Sequence, residues 1–165
     1  YTGGATVACL YAGASVCHVD SSKGMVAWAK ENVASSKLQD KPVRYIVDDV
    51  VKFVQREIRR GNKYDAIIMD PPTYGRGPSK ELWRFEDSLN KLIECSIDIL
   101  SDKPLFFLIN SYTKGITPEI LKNVLMTSSL SKFDGKITTD EIGLKISSRD
   151  MNLACGVYGR WESNE

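Results

Sequence analysis

The sequence predicts an α/β layer fold whose sheet is mostly parallel and closes on an antiparallel pair. Two observations carry that expectation. Short apolar runs alternate with stretches of helical period along most of the chain, the pattern made when crossover helices cover a parallel sheet. The tail then changes character: residues 134–160 read as two strands with turn residues between them, which suits an antiparallel pair at a sheet edge. A length of 165 residues is enough to bury one core and too little for two sizeable domains.

The elements follow in order. Residues 4–12 read as a helix stopped by Gly13, and 15–19 as a strand. Ser21 or Ser22 caps a second helix ending near Ser36, with Met25, Trp28, Ala29 and Val33 as its buried stripe and Lys23, Lys30 and Glu31 outward. Residues 43–47 form a strand, 50–60 a helix, and 64–69 a continuous apolar strand that runs into Asp70-Pro71-Pro72, where two prolines forbid continuation. A glycine-containing loop over 73–79 leads to a long helix near 82–100, a buried strand over 105–109 and a helix opening at Pro118.

Composition narrows the function classes. Hydrophobic residues at 42% and charged residues at 26% exclude collagen-like and disordered chains, and no apolar run approaches a membrane span. A net charge of +1 supplies no global field for a polyanion, so any nucleic acid must meet a local patch. Cys9, Cys17, Cys95 and Cys155 are scattered without a C-x-x-C pair, and His18 is the lone histidine. Zinc and disulfide frameworks are therefore not expected, and the thiols read as reduced in a cytoplasmic protein.

Four segments fall just past predicted strand or turn ends, where α/β sheets present ligands. Tyr1-Thr2-Gly3-Gly4 is a strand-to-helix turn whose glycines admit close backbone approach and whose helix start suits a carboxylate or phosphate. It has no strand in front of it, and the expectation is an amino-terminally truncated fragment whose central first strand lies upstream. Asp20 follows Gly3 by 17 residues (20 − 3) and either accepts a ribose diol or caps the next helix beside Ser21. Asp48-Asp49-Val50 supplies a carboxylate for an adenine amine and an apolar neighbour for its ring, or else an N-cap; Asp49 is favoured as the inward group. Asp70-Pro71-Pro72-Thr73-Tyr74 is the most specific. Its proline carbonyls and carboxylate form an acceptor-only lining for an amine or base edge, and Tyr74 can stack on a planar acceptor.

These four segments, with Asn32 in Trp28-Ala29-Lys30-Glu31-Asn32 and the closing Cys155-Gly156-Val157-Tyr158-Gly159-Arg160-Trp161, resemble class I S-adenosylmethionine-dependent methyltransferases. The likeness is to the bacterial ribosomal RNA base methyltransferases. The resemblance implies a Rossmann-like seven-stranded sheet with its last strand antiparallel, S-adenosylmethionine as cofactor and an RNA substrate. It places Gly3 and Gly4 at the methionine moiety, Asp20 at the ribose, Asp49 and Val50 at the adenine, and residues 70–74 at the reacting centre.

Relatives that methylate cytosine at carbon five use a cysteine nucleophile, which in one branch follows the fifth strand. Here that position reads Asn110-Ser111-Tyr112, while Cys95 and Cys155 read as small core residues, so transfer to nitrogen is expected. A nicotinamide-dinucleotide oxidoreductase is the first rival, but its fingerprint counted from Thr2 needs a glycine where Val7 stands. A non-catalytic RNA-binding domain of the same fold is the second. Arg56, Arg59, Arg60 and Lys63 read mainly as a solvated helix face, and Arg76, Lys80 and Arg84 as phosphate contacts beside the Asp-Pro-Pro loop. His18 reads as packed in its strand.

Overall fold

In the computed structural model, residues 1–76 and 82–164 are described. They form two compact units, Tyr1–Arg56 and, from Glu57, the remainder through Arg76 and from Leu82 onward.

The first unit opens with α1 (Gly4–Tyr11), which leads to β1 (Val16–Asp20), α2 (Lys23–Ser35), β2 (Val43–Val47) and the start of α3 (Val50–Arg60). β1 and β2 are parallel in a two-stranded sheet, with Val16 opposite Val43 and Asp20 opposite Val47. The ladder continues one step further, because the Asp48 N–H donates to the Asp20 carbonyl at 3.0 Å. Asp20 is thus the last residue of its strand, one position later than the sequence suggests. Leu10 of α1, Val33 of α2 and Leu38 form the core, with Val7, Val16, Val43 and Tyr45 packed against it. The stripe on α2 is Val26, Ala29 and Val33, all buried. Trp28, expected in that stripe, is exposed; it lies one residue short of Ala29, about 100° round the helix. Ser22, not Ser21, caps α2: its hydroxyl accepts from Met25 N–H at 3.3 Å, the geometry of an N-cap bonding N3.

The second unit contains β3 (Ala66–Met69), β4 (Tyr74–Arg76), β5 (Leu82–Arg84), α4 (Phe85–Ile97), β6 (Phe106–Ser111), α5 (Pro118–Met126), a 3₁₀ turn (Ser129–Lys132), β7 (Gly135–Lys145) and β8 (Asn152–Ser163). Its main sheet has the order β3-β6-β8-β7, with β3 and β6 parallel and both β8 pairings antiparallel. The tail is therefore the antiparallel pair expected from its sequence. α4 presents Phe85, Leu89, Ile93 and Ile97 at four-residue spacing to a core that includes Phe107 and Ile109 of β6, Leu121 and Leu125 of α5 and Trp161 of β8. Pro118 occupies the first turn of α5, as the sequence signals, and the Thr117 side chain caps it.

The segment after Asp-Pro-Pro departs from expectation. Instead of a loop feeding a helix at Leu82, Tyr74–Arg76 and Leu82–Arg84 pair as a short antiparallel hairpin, and α4 begins at Phe85. Extended Arg84 ends that pairing and precedes the helix, whose acidic Glu86 and Asp87 sit in the first turn where the dipole favours them. Lys80 and the rest of 77–81 lie outside the described residues.

Candidate functional site

The first unit gathers the Tyr1–Gly4 turn, Asp20 and Asp48–Val50 at the carboxyl ends of β1 and β2. Gly3 precedes α1 with φ 86°, a left-handed conformation, and a Cβ there would stand 2.8 Å from the Ala29 Cβ. Both facts demand glycine for packing α1 onto α2. Gly4 differs: nothing lies within 4 Å of where its Cβ would be. No side chain among the described residues caps α1, and an uncapped helix start attracts an anion. Asn32 holds the turn in place by donating from Nδ2 to the Thr2 carbonyl at 2.8 Å. The sequence carried no signal for that bond beyond Asn32's place in the resemblance.

Asp20 accepts from Ser22 N–H at Oδ1 (2.8 Å) and from the Tyr1 ammonium at Oδ2 (2.6 Å). Burial raises its pKa, but these two hydrogen bonds, with the charges of the ammonium and His18, outweigh burial and hold the carboxyl below its ordinary value. Asp20 does not cap α2, which Ser22 does; its Oδ1 organises the turn ahead of α2, and its Oδ2 lies at the Tyr1 nitrogen.

The aspartates at the end of β2 divide their work differently than expected. Asp49 is the helix cap, with Oδ1 accepting from Lys52 N–H at 3.0 Å, and Asp48 binds the Arg56 guanidinium through Oδ2 and Asp49 N–H through Oδ1. Val50 is exposed, an apolar face available for a ring. Arg56 is therefore an internal partner of Asp48. Arg60 likewise bonds Glu57 at 3.1 Å, and Lys63 Nζ donates to the Asp98 carbonyl at 2.8 Å. The densest basic cluster in the sequence is mostly spent inside the protein.

Buried beneath the turn, His18 shares a 2.9 Å hydrogen bond with Thr6 through Nδ1, and Nε2 is buried with no partner among the described residues. Burial, aided by the Tyr1 ammonium, lowers its pKa against a smaller opposing effect of Asp20. Above about pH 6.5 the group is neutral in both states. As pH falls through the window between that value and the lower folded pKa, the unfolded chain takes the proton first, so stability is lost. The melting temperature is expected to drop between pH 7.5 and 5.5, and His18→Gln should flatten that drop; parallel profiles for the two proteins would refute it.

The second unit positions the other candidate segment. Asp70 follows Met69, which sits opposite Ile109 at the carboxyl ends of the parallel pair β3 and β6. The loop after it is held from three sides. Trp83 Nε1 donates to the Pro72 carbonyl at 2.6 Å, Phe85 N–H donates to the Thr73 carbonyl at 3.1 Å, and the Thr73 and Thr113 hydroxyls share a 2.9 Å bond. Trp83 thus occupies one lone pair of the Pro72 carbonyl and fixes its direction. Asp70 is exposed, and Tyr74 is 56% exposed and stands opposite exposed Arg84 across the hairpin. Trp83 and Thr113 were not foreseen. The Gly77-Pro78 pair, a turn signal standing in the sequence between the two three-residue arms, could have revealed the hairpin and its tryptophan. Cys95 is half-buried on α4, with its thiol pKa raised mainly by burial. Cys155 is not the core residue its sequence suggested: it is half-buried, and its thiol donates to the Leu153 carbonyl at 3.3 Å.

Solved structures are similar to this fold. A crystal structure of a SAM-dependent methyltransferase from Agrobacterium tumefaciens superposes with a TM-score of 0.90 at 34% identity, over 98% of this chain and 53% of that one. The chain carries the class I S-adenosylmethionine-dependent methyltransferase fold. A ribosomal RNA large subunit methyltransferase I from Enterobacter sp. (strain 638) is 38% identical over 81 residues, 48% of this chain and 20% of that protein. A Streptococcus mutans structure described as a SAM-dependent methyltransferase matches at TM-score 0.76 and 23% identity, covering 98% of this chain and 42% of that one, and bears on the fold alone. No family model matches. The chain spans about half the length of the Agrobacterium protein and about a fifth of the curated relative.

The residues of the first unit fit the cofactor of this methyltransferase fold. The uncapped start of α1 suits a carboxylate, the Asp20 carboxylate at the end of β1 suits a ribose diol, and exposed Val50 suits an adenine face.

Proposed function

We propose that the protein is a cytoplasmic S-adenosylmethionine-dependent methyltransferase that methylates a nucleobase of ribosomal RNA at nitrogen. The observation that supports it most is the second-unit loop: Asp70 at the end of β3, followed by a double proline and exposed Tyr74, with the loop tied down by Trp83, Phe85 and Thr113. Bound S-adenosylmethionine supplies an electrophilic methyl on sulfur, transferred by in-line displacement. The protein's part is positioning. Tyr1, Thr2, Gly3, Gly4, Asp20, Ser21 and Val50 line the cofactor site, Ser21 through its place in the turn that Asp20 organises. Asp48 and Asp49 shape it, the first through Arg56 and the second as the cap of α3.

On the acceptor side, the Asp70 carboxylate and the Pro71 carbonyl accept from the amine that becomes methylated. Tyr74 stacks on the base, and Pro72 and Trp83 fix the loop. Arg84, opposite Tyr74, is placed for a phosphate next to the stacked base. The curated relative's name, which specifies ribosomal RNA of the large subunit, supports the choice of substrate.

Mapping methylated nucleotides by mass in ribosomal RNA from cells with and without the gene tests this reading. One lost N-methyl base is expected. The Cys155→Ser protein should restore that mark at near wild-type level, because transfer to nitrogen needs no thiol; loss of a carbon-five methylpyrimidine, with no rescue by Cys155→Ser, would overturn the nitrogen assignment.

A further inference from the structure

Beyond the acceptor groups on the Asp-Pro-Pro loop, the second unit presents one more side chain at the carboxyl ends of β3 and β6. Ser111 closes β6 opposite Val157 of β8, and Tyr112 follows it. Its neighbours are buried and bonded: Ser111 is 1% exposed and accepts through Oγ from Thr113 N–H at 3.2 Å, and Thr113 in turn meets Thr73 of the Asp-Pro-Pro loop. The Tyr112 ring lies on Gly156, where a Cβ would come within 2.8 Å of Cδ1 and 2.5 Å of the Ser111 carbonyl oxygen. Only glycine leaves the ring that seat. Yet Tyr112 remains 56% exposed. A phenol whose backbone is clamped on both sides, whose ring rests on bare backbone and whose surface is still open is placed to meet a ligand. The phenol is protonated at neutral pH and able to donate, and burial, then the neighbouring Asp70 carboxylate and Cys155, push its pKa further up.

We infer that Tyr112 is a specificity-determining residue for the methyl acceptor. Asp70 accepts from the amine N–H, and the Tyr112 hydroxyl donates to the unprotonated ring nitrogen beside that amine. This deepens the function proposed above and rests on it. The pair recognises an edge with a donor next to an acceptor, which cytosine, adenine and guanine offer at their exocyclic amines. A site built to bond such an atom discriminates strongly against an analogue that lacks it.

The test uses the purified protein, an RNA oligonucleotide spanning the mapped position, and a second oligonucleotide in which the adjacent ring nitrogen of that base is replaced by C–H. Tyr112→Phe keeps the ring over Gly156 and removes only the donor. Its kcat/KM for the natural RNA should fall about 10- to 100-fold, with KM for S-adenosylmethionine changed less than about twofold. Wild-type enzyme should lose a similar factor on the C–H analogue, while the Tyr112→Phe protein should lose almost nothing further. A purely structural role for Tyr112 would leave the penalty for the analogue the same in both proteins, and that result would overturn the inference, as would wild-type kcat/KM in Tyr112→Phe. Absence of transfer by the wild-type enzyme to any RNA would overturn the parent reading as well, and is distinguished because the unmodified protein itself is then inactive.

Discussion

Replacing Asp70 by Ala is expected to lower kcat for methyl transfer by about 10²- to 10³-fold while changing affinity for S-adenosylmethionine by less than about threefold. The amine of a nucleobase is a poor nucleophile because its lone pair is shared with the ring. A carboxylate that accepts its N–H keeps that lone pair aimed at the methyl and balances the positive charge that grows on nitrogen during transfer. That interaction strengthens between ground state and transition state, so its loss appears in kcat more than in binding. Asp70 is exposed at the end of β3, and its replacement removes no buried group, so folding should be preserved. Single-turnover kinetics check the split. An Asp70→Ala enzyme with normal kcat and a raised KM for RNA would mean that the carboxylate only helps to bind substrate.

Asp20→Ala is expected to weaken S-adenosylmethionine binding by about 30- to 300-fold. Charge-assisted hydrogen bonds contribute about 1.5–3 kcal/mol each, part of which water recovers when the carboxylate is removed. The carboxyl is oriented by the Ser22 N–H at Oδ1, so its position for ribose hydroxyls is set before a ligand arrives. Asp20→Asn, which keeps the shape and one acceptor, should lose less than Asp20→Ala. Equilibrium titration of the three proteins gives the order directly, and equal affinities across them would remove Asp20 from the cofactor site.

The sequence exposed most of the frame because burial patterns are local. The four-residue spacing of Phe85, Leu89, Ile93 and Ile97, the Pro118 start of α5 and the run of apolar residues into Asp70 each report an element without knowledge of its neighbours. What it concealed depends on partners distant along the chain. Asp48 and Asp49 look equivalent until the Arg56 guanidinium and the first turn of α3 claim one each. The Pro72 carbonyl is held by Trp83, eleven residues on, a partner the sequence does not announce. Cys155 reads as core because its strand is apolar. In fact β8 runs past the end of β6, whose pairing stops at Ser111 opposite Val157, so residue 155 has no partner strand on that side. The basic run over 56–63 reads as a solvated helix face because the sequence shows its charge but not Asp48, Glu57 and the Asp98 carbonyl that bind it.

The central claim is that the turn before α1 and the carboxylate ending β1 hold an adenosyl sulfonium and not a dinucleotide. Calorimetric titration of the purified protein with S-adenosylmethionine and, separately, with NAD tests it most directly. One-site binding of S-adenosylmethionine, competed by S-adenosylhomocysteine and accompanied by no heat from NAD, is the predicted result; saturable binding of NAD with none of S-adenosylmethionine would contradict it.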